Sequence, residues 1–341
     1  MLKPEWERSL RACPQNPQHH GEGDVWTHTR MVVEALRGDA AFQALEADDR
    51  EVLEWAAWLH DVAKPLCLQP DLSCPGHARK GSQMARQWLY EQGFPWRRRE
   101  MVCQLIRYHM VPYRLVDAPD WQRQVLEMGL NARCDLLAIL ARADARGRIC
   151  RDQGALLDQI EMFAQLAEEN PPEFADDHSR VTYFRKGGDP RRAVFHQPRC
   201  RVTVMSGLPA AGKDHWIARH GQGLPVVSLD GLREELEVSP DGDQGQVVQA
   251  AREQARGHLR AGRDFIWNAT NLTRQLRQRT LDLCFDYEAD VRLVYVEAPL
   301  AEVERRNQAR SRPVPAGAVE RMLRRWELPD RCEAHELIQS L

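Results

Sequence analysis

Lysine is scarce in this chain. Among 47 Lys and Arg residues only Lys3, Lys64, Lys80, Lys186 and Lys213 are lysines, so arginine serves wherever a generic positive charge suffices. Neither sign of charge prevails. A formal net charge of −3 excludes a basic coat and leaves local arginine surfaces as the only means of gripping a polynucleotide. Long apolar runs are missing, and the opening MLKPEWERSL has no apolar signal core, so neither a membrane span nor a secreted protein is expected. C-x-x-C pairs are absent too. The nine cysteines, an odd count, read as scattered reduced thiols of a cytoplasmic protein. There is no internal repeat or low-complexity block. The 341 residues, 43% of them hydrophobic, therefore suit about two packed domains.

The stretch that stands out is Arg201–Asp214, RVTVMSGLPAAGKD. An apolar run ends at Gly207, and Leu208, Pro209, Ala210 and Ala211 lead to Gly212 and Lys213. Strand, glycine-bearing turn and helix start in that order form a phosphate-binding loop. Its backbone N–H groups can face phosphate oxygens while Lys213 reaches the terminal phosphates. Lys213 is the only lysine after position 186, and a rigid guanidinium fork could not replace a compact ammonium there. Asp214 departs from the usual pattern, in which Ser or Thr supplies a hydroxyl to Mg²⁺; a carboxylate can hold the ion directly or through water. The loop thus implies ATP or another nucleoside triphosphate with Mg²⁺.

Around this loop the chain divides. Residues 1–170 read as all helical, with helices expected near 26–37, 50–63, 78–91, 98–110, 132–146 and 154–168. Residues 171–199, rich in Pro, Gly and charge, read as a linker with a short extended piece around Val181–Phe184. Residues 200–341 alternate strands, expected at 201–206, 224–228, 264–270 and 291–297, with helices. That is an α/β domain with a parallel sheet, whose ligands collect at the carboxyl ends of the strands.

Those ends carry suitable groups. After the second strand come Asp230 and, one helical turn on, Arg233. After the third come Asn268, Asn271, Arg274 and Arg277, and after the fourth Arg305, Arg306, Arg310 and Arg312. Phosphoryl transfer needs alignment, charge neutralisation and a carboxylate to take the acceptor's proton, a role for which Asp230 is the candidate. Asp230 could instead cap the helix Gly231–Glu237, Arg233 could pair with Glu237, and the later arginines could be a solvated helix face rather than a lid. The segments GLPAAGKD, SLDGLR, NATN and ERRNQAR, in this order over about 200–335, resemble the P-loop domain of polynucleotide 5′-hydroxyl kinases. The resemblance implies Asp230 as general base, Arg233 on the acceptor's neighbouring phosphate, and Arg306 and Arg310 as lid residues.

The first half places His28, His60-Asp61, His77, His109 and Asp144 on or beside apolar helical stripes. A single such histidine is usually a hydrogen-bonded core residue. A buried Asp144 without a partner would be costly, so a cation or metal is expected beside it. Taken together, the set suits a transition metal, and an adjacent His-Asp can bridge two ions. The pattern over about 15–150 resembles the HD phosphohydrolase superfamily. That implies one or two ions (Mn, Co, Ni, Cu or Zn) on His28, His60, Asp61 and Asp144. It further implies His77 and His109 at a second position or on phosphate, and Lys64 as a phosphate-binding lysine. His19 and His20 match no ligand and read as surface residues, His20 with a substrate contact open to it.

The combination resembles the bacterial HD-domain polynucleotide kinases of nucleic-acid end healing. It implies phosphorylation of 5′-hydroxyl ends with ATP and metal-dependent removal of 3′-phosphate or 2′,3′-cyclic phosphate. DNA or RNA ends would be the substrate and a ligase a functional partner, with the oligomeric state, a homodimer included, left open. Two rivals stand beside it: a nucleotide hydrolase fused to a nucleoside or sugar kinase, and an HD domain that senses a nucleotide and regulates the kinase.

Overall fold

The computed structural model describes residues 3–221, 223–238, 244–310 and 312–341. The chain forms two compact units, one up to Glu173 and one from Phe174 onward.

The first unit is helical among its described residues, apart from an isolated bridge between Pro14 and Asp24. The six expected helices appear as Val25–Arg37, Ala47–Leu59, His77–Glu91, Trp96–Tyr108, Cys134–Arg146 and Gln153–Glu169. Pro4–Arg11, Ala40–Gln43, Lys64–Cys67 and Trp121–Asn131 add to them. Local chemistry sets several boundaries. The Asp24 side chain accepts from Thr27 N at 2.9 Å and starts the first of the six. Pro95 precedes Trp96–Tyr108, where a missing N–H costs nothing. The buried core includes Val32, Leu36, Leu53, Ala56, Ile106, Leu137 and Leu140. Helices Val25–Arg37 and Cys134–Arg146 cross closely: a Cβ on Gly147 would stand 2.7 Å from Val32 Cγ2 and 2.8 Å from its amide nitrogen. That glycine lets one helix bring His28 up to Asp144 on the other.

The second unit is built on a five-stranded parallel sheet: β1 (Arg201–Ser206), β2 (Val226–Ser228), β3 (Phe265–Asn268), β4 (Asp290–Val296) and β5 (Glu336–Ser340). The order is β2-β3-β1-β4-β5, with Val204 opposite Trp267 on one side and Leu293 on the other. β1 is thus central and nearly wholly buried, as its apolar run requires. β5 is the strand the sequence pattern missed; it lies at the sheet edge, half-exposed, with no alternation to announce it.

The segment read as a linker needs correcting in part. Val181–Phe184 is not extended but lies inside a helix, Asp177–Lys186, capped by Asp176, whose side chain accepts from Ser179 N. This helix is bound to the turn that leads into β5. Arg180 donates to the carbonyls of Arg331, Ala334 and His335. His178 stacks on His196 with ring centres 3.7 Å apart, and its Nδ1 lies 3.1 Å from His335 Nε2.

Candidate functional sites

In the first unit the residues of interest sit mostly at helix ends. His28 lies on Val25–Arg37, His60 and Asp61 follow Ala47–Leu59, His77 opens His77–Glu91, His109 follows Trp96–Tyr108, and Asp144 lies in the last turn of Cys134–Arg146. Helix termini have backbone carbonyls or amides to spare, and the histidines use them. His60 Nδ1 is 2.8 Å from Ala57 O, His77 Nδ1 is 2.7 Å from Cys74 O, and His109 Nδ1 is 2.7 Å from Ile106 O. A carbonyl only accepts, so each ring carries a proton on Nδ1 and turns Nε2 towards the middle of the cluster. His28 differs: it lies between two carboxylates, Nδ1 2.9 Å from Glu22 Oε1 and Nε2 3.0 Å from Asp144 Oδ1, and against burial these contacts raise it.

All four Nε2 atoms converge on Asp61: His28 and His60 lie 3.7 and 3.2 Å from Oδ2, His77 and His109 3.3 and 3.7 Å from Oδ1. His77 and His109 bring their Nε2 atoms within 3.2 Å of each other. Burial, then the charges of His77 and His60, push His109 down to about 3, so its Nε2 carries a lone pair. A cation placed against both of these nitrogens would find two ligands already set at ligand spacing. His28 Nε2, His60 Nε2 and Asp61 Oδ1 are enclosed yet make no hydrogen bond. Orphaned buried donor atoms aimed at one spot are what a metal ion satisfies. Two trios have the reach to do so, His28–His60–Asp61 and Asp61–His77–His109, with Asp61 common to both.

The acids here are already balanced by cations. Lys64 Nζ lies 2.8 Å from Asp61 Oδ2 and donates to Gln15 Oε1 at 2.7 Å. Burial raises the Asp61 carboxyl, but the charges of His60 and Lys64 prevail and hold it well below its usual range. Arg148 grips both oxygens of Asp144, at 3.2 and 2.7 Å, and lies over the Tyr113 ring; His28 Nε2 is 3.0 Å away on the other side. Arg148 is the cation that Asp144 called for. Against burial, its charge and the His28 contact keep Asp144 ionised.

Gln15, Glu22 and Arg148 went unnoticed in the sequence. Only the histidine-glutamate pair of HGEGD hinted at one of them. His20 is not a surface residue: it is half-buried, its Nδ1 lies 2.8 Å from Glu22 Oε1, and its ring meets His28 edge-on at 4.9 Å. His19 is exposed.

In the second unit, the turn after β1 is as tight as its glycines require. Gly207 has φ +150°, and a Cβ there would stand 2.3 Å from Val296 O, so no other residue fits against β4. Lys213 Nζ donates to the carbonyls of Gly207 and Leu208, at 3.1 and 2.8 Å, inside the loop that Leu208, Pro209, Ala210, Ala211 and Gly212 complete. Burial lowers this ammonium to about 8. Arg306 Nη1 reaches Ala211 O at 3.3 Å from the far side of the loop. Asn268, at the end of β3, donates through Nδ2 to Asp214 Oδ1 at 2.7 Å.

Across the sheet edge, the cap of helix Leu229–Glu235 is Ser228, whose hydroxyl accepts from Gly231 N. Asp230 is therefore not the cap. It projects into solvent, with 67% of its side chain exposed, and Arg233 and Arg310 meet its two oxygens at 2.5 and 3.3 Å. Burial of part of the carboxyl is outweighed by Arg233 and then Arg310, so it stays ionised below its usual range. Arg233 also donates to Gln244 Oε1 and makes no use of Glu237. Among the crowded arginines, Arg305 turns to Glu302, while Arg306 and Arg310 reach the loop and Asp230.

A helical unit with a histidine–aspartate centre and a parallel sheet with a phosphate loop are two well-known classes, and comparison with known proteins agrees. Residues 25–148 match the model of the HD domain, and residues 202–329 match that of the AAA domain. The chain therefore carries an N-terminal helical HD domain and a C-terminal AAA domain of P-loop, kinase-like type with a five-stranded parallel sheet.

Among curated proteins it is similar to multifunctional CCA proteins. That of Halorhodospira halophila is 34% identical over 147 residues, covering 41% of this chain and 33% of the relative. That of Actinobacillus pleuropneumoniae is 31% identical over 156 residues, covering 44% and 36%. The chain thus spans about a third of the length of these relatives. A solved structure from Chloroflexus aurantiacus, named as a candidate kinase, shares 17% identity over 42% of this chain and 85% of its own, at a TM-score of 0.34, and carries no weight on its own. No helix among the described residues is long and apolar enough to cross a membrane.

Proposed function

We propose that this protein is a bifunctional nucleic-acid end-healing enzyme. It would phosphorylate 5′-hydroxyl ends with ATP and remove 3′-phosphate or 2′,3′-cyclic phosphate from DNA or RNA ends, in the cytoplasm and in support of a ligase. The observation that carries the hydrolase half is the convergence of four imidazoles on Asp61, three of them with Nδ1 bound to a backbone carbonyl and His28 shared with Asp144. His28, His60, Asp61 and Asp144 would hold one transition-metal ion, and Asp61, His77 and His109 a second. Ions bound there would neutralise the phosphate and acidify a water molecule. Lys64 and Arg148, now paired with Asp61 and Asp144, would turn part of their charge to the phosphate as the ions take over the carboxylates.

In the kinase half, Lys213 would exchange the loop's carbonyls for the terminal phosphates of ATP. Asp230 would accept the proton of the attacking hydroxyl, Arg233 would hold the acceptor's adjacent phosphate, and Arg306 and Arg310 would close over the donor. The similarity to CCA proteins supports a nucleic-acid substrate. The test offers a labelled strand with 5′-hydroxyl and 2′,3′-cyclic phosphate ends, together with ATP and a panel of divalent metals, and reads both ends. Both ends should change. Preference for a mononucleoside or nucleotide over the strand would point to a small-metabolite enzyme instead.

A further inference from the structure

The departure at Asp214 has a counterpart across the sheet. In P-loop phosphotransferases of the common type, the ion beside the triphosphate is held by a neutral hydroxyl just after the loop lysine and by a carboxylate at the end of a neighbouring strand. Here the carboxylate follows the lysine, as Asp214, and the strand end offers a neutral group, Asn268. β3 lies directly beside β1, with Val204 opposite Trp267, so Asn268 ends its strand level with the start of the loop. The two side chains touch, Asn268 Nδ2 donating to Asp214 Oδ1 at 2.7 Å. This bond orients both groups. The amide nitrogen must face the carboxylate, since an oxygen there would be repelled, so Asn268 Oδ1 and Asp214 Oδ2 are left as two acceptors with a combined charge of one.

We propose that the kinase unit holds its divalent ion with an exchanged pair, the Asp214 carboxylate from the helix start and the Asn268 side-chain oxygen from the strand end. The charge presented to the ion matches that of the common arrangement; only the elements that carry it have traded places. Asp214 is exposed and Asn268 half-buried, so the carboxylate stands on the open side of the loop. The plainer role for Asp214, an acid in the first turn of Lys213–His220 that complements the helix dipole, gives Asn268 nothing to do. The proposal rests on the reading of this unit as an ATP-using kinase.

Reciprocal substitution tests it. Mn²⁺ bound to the full-length protein is counted by electron paramagnetic resonance with and without a non-hydrolysable ATP analogue; the difference isolates the kinase ion from the HD centre. A fluorescent nucleotide follows analogue binding separately. Asp214→Ser should weaken the analogue-dependent ion by roughly 10–100-fold, and the isosteric Asp214→Asn should do the same without changing shape. Adding Asn268→Asp to Asp214→Ser should restore the ion to near the wild-type affinity. Unchanged Mn²⁺ affinity in both Asp214 variants overturns the proposal. So does a double variant that binds the analogue but holds the ion no better than Asp214→Ser. A wild-type protein that binds no analogue overturns the kinase reading along with it.

Discussion

The two candidate sites solve the problem of charge in opposite ways. In the helical unit His28, His60, Asp61, His109 and Asp144 are at most 2% exposed. In the sheet unit Asp230 keeps 67% of its side chain in water. A buried carboxylate has no solvent to lean on, so Asp61 and Asp144 each bring a cation from the same domain, Lys64 and Arg148. An exposed carboxylate needs no such standing partner. The arginines at Asp230 sit in reach of solvent, free to be exchanged for phosphates. The enclosed site therefore draws on residues scattered from Gln15 to Arg148, while the open one is built from short contiguous motifs.

The sharpest way to break this comparison is to disable each site alone. Asp61→Asn removes the charge shared by both histidine trios and should cut phosphatase activity by roughly three orders of magnitude, about 4 kcal/mol of barrier, with loss of bound metal by elemental analysis. Lys213→Ala should do the same to 5′ phosphorylation. Each variant should keep the other activity; loss of both from a folded protein would mean the sites are not independent.

Asp230→Asn comes next. It keeps shape and removes the proton acceptor, so turnover should fall by roughly 10²–10⁴ while the acceptor KM changes little. Arg233→Ala should raise that KM instead, and less for acceptors that lack an adjacent phosphate. Near-normal turnover of Asp230→Asn in a steady-state assay would remove Asp230 from the chemistry.

A gentler probe is pH. Lys213, lowered to about 8 by burial, is charged below that value and neutral above it. A triphosphate favours the charged form. Nucleotide affinity, followed by fluorescence titration, should thus be level below about pH 8 and fall as much as tenfold per pH unit above it. Lys213→Arg, which cannot titrate, should flatten that slope. Affinity that holds steady to pH 10 would show that the lysine does not meet the phosphates.

The smallest effect concerns stability. The second unit has its own half-buried cluster, His178, His196 and His335, with Asp176, Arg180, Lys186 and Asp290 around it. Burial, against the pull of Asp290 and helped by the neighbouring imidazoles, lowers His335 to about 4, and burial lowers His178 as well. Such groups bind protons more readily when unfolded. The contribution of His335 is whole above about pH 6.5 and is lost as pH falls towards 4, on the order of 2 kcal/mol. Urea unfolding of the protein at pH 7 and pH 5 measures it. His335→Gln should shrink the difference between the two pH values, and an unchanged difference would exclude the cluster as its source.

What the sequence determined by itself were the features whose cause is local. The glycines, lysine and apolar run at 201–213 lie within one strand, one turn and one helix start, so their spacing alone dictates a phosphate loop. Apolar periodicity likewise set the main helices and four strands and put His109 and Asp144 on faces bound to be buried. Only the tertiary structure decided which distant groups meet. Glu22 stands behind His28, Arg148 answers Asp144, Gln15 holds Lys64, and Asn268 turns to Asp214. It also made a docked helix of Asp177–Lys186 and an edge strand of Glu336–Ser340, neither with a strong periodic signature. The reason is physical. Period and propensity act over a few residues, whereas the demand that a buried charge or an open sheet edge be satisfied is met by whatever part of the chain the packing brings alongside.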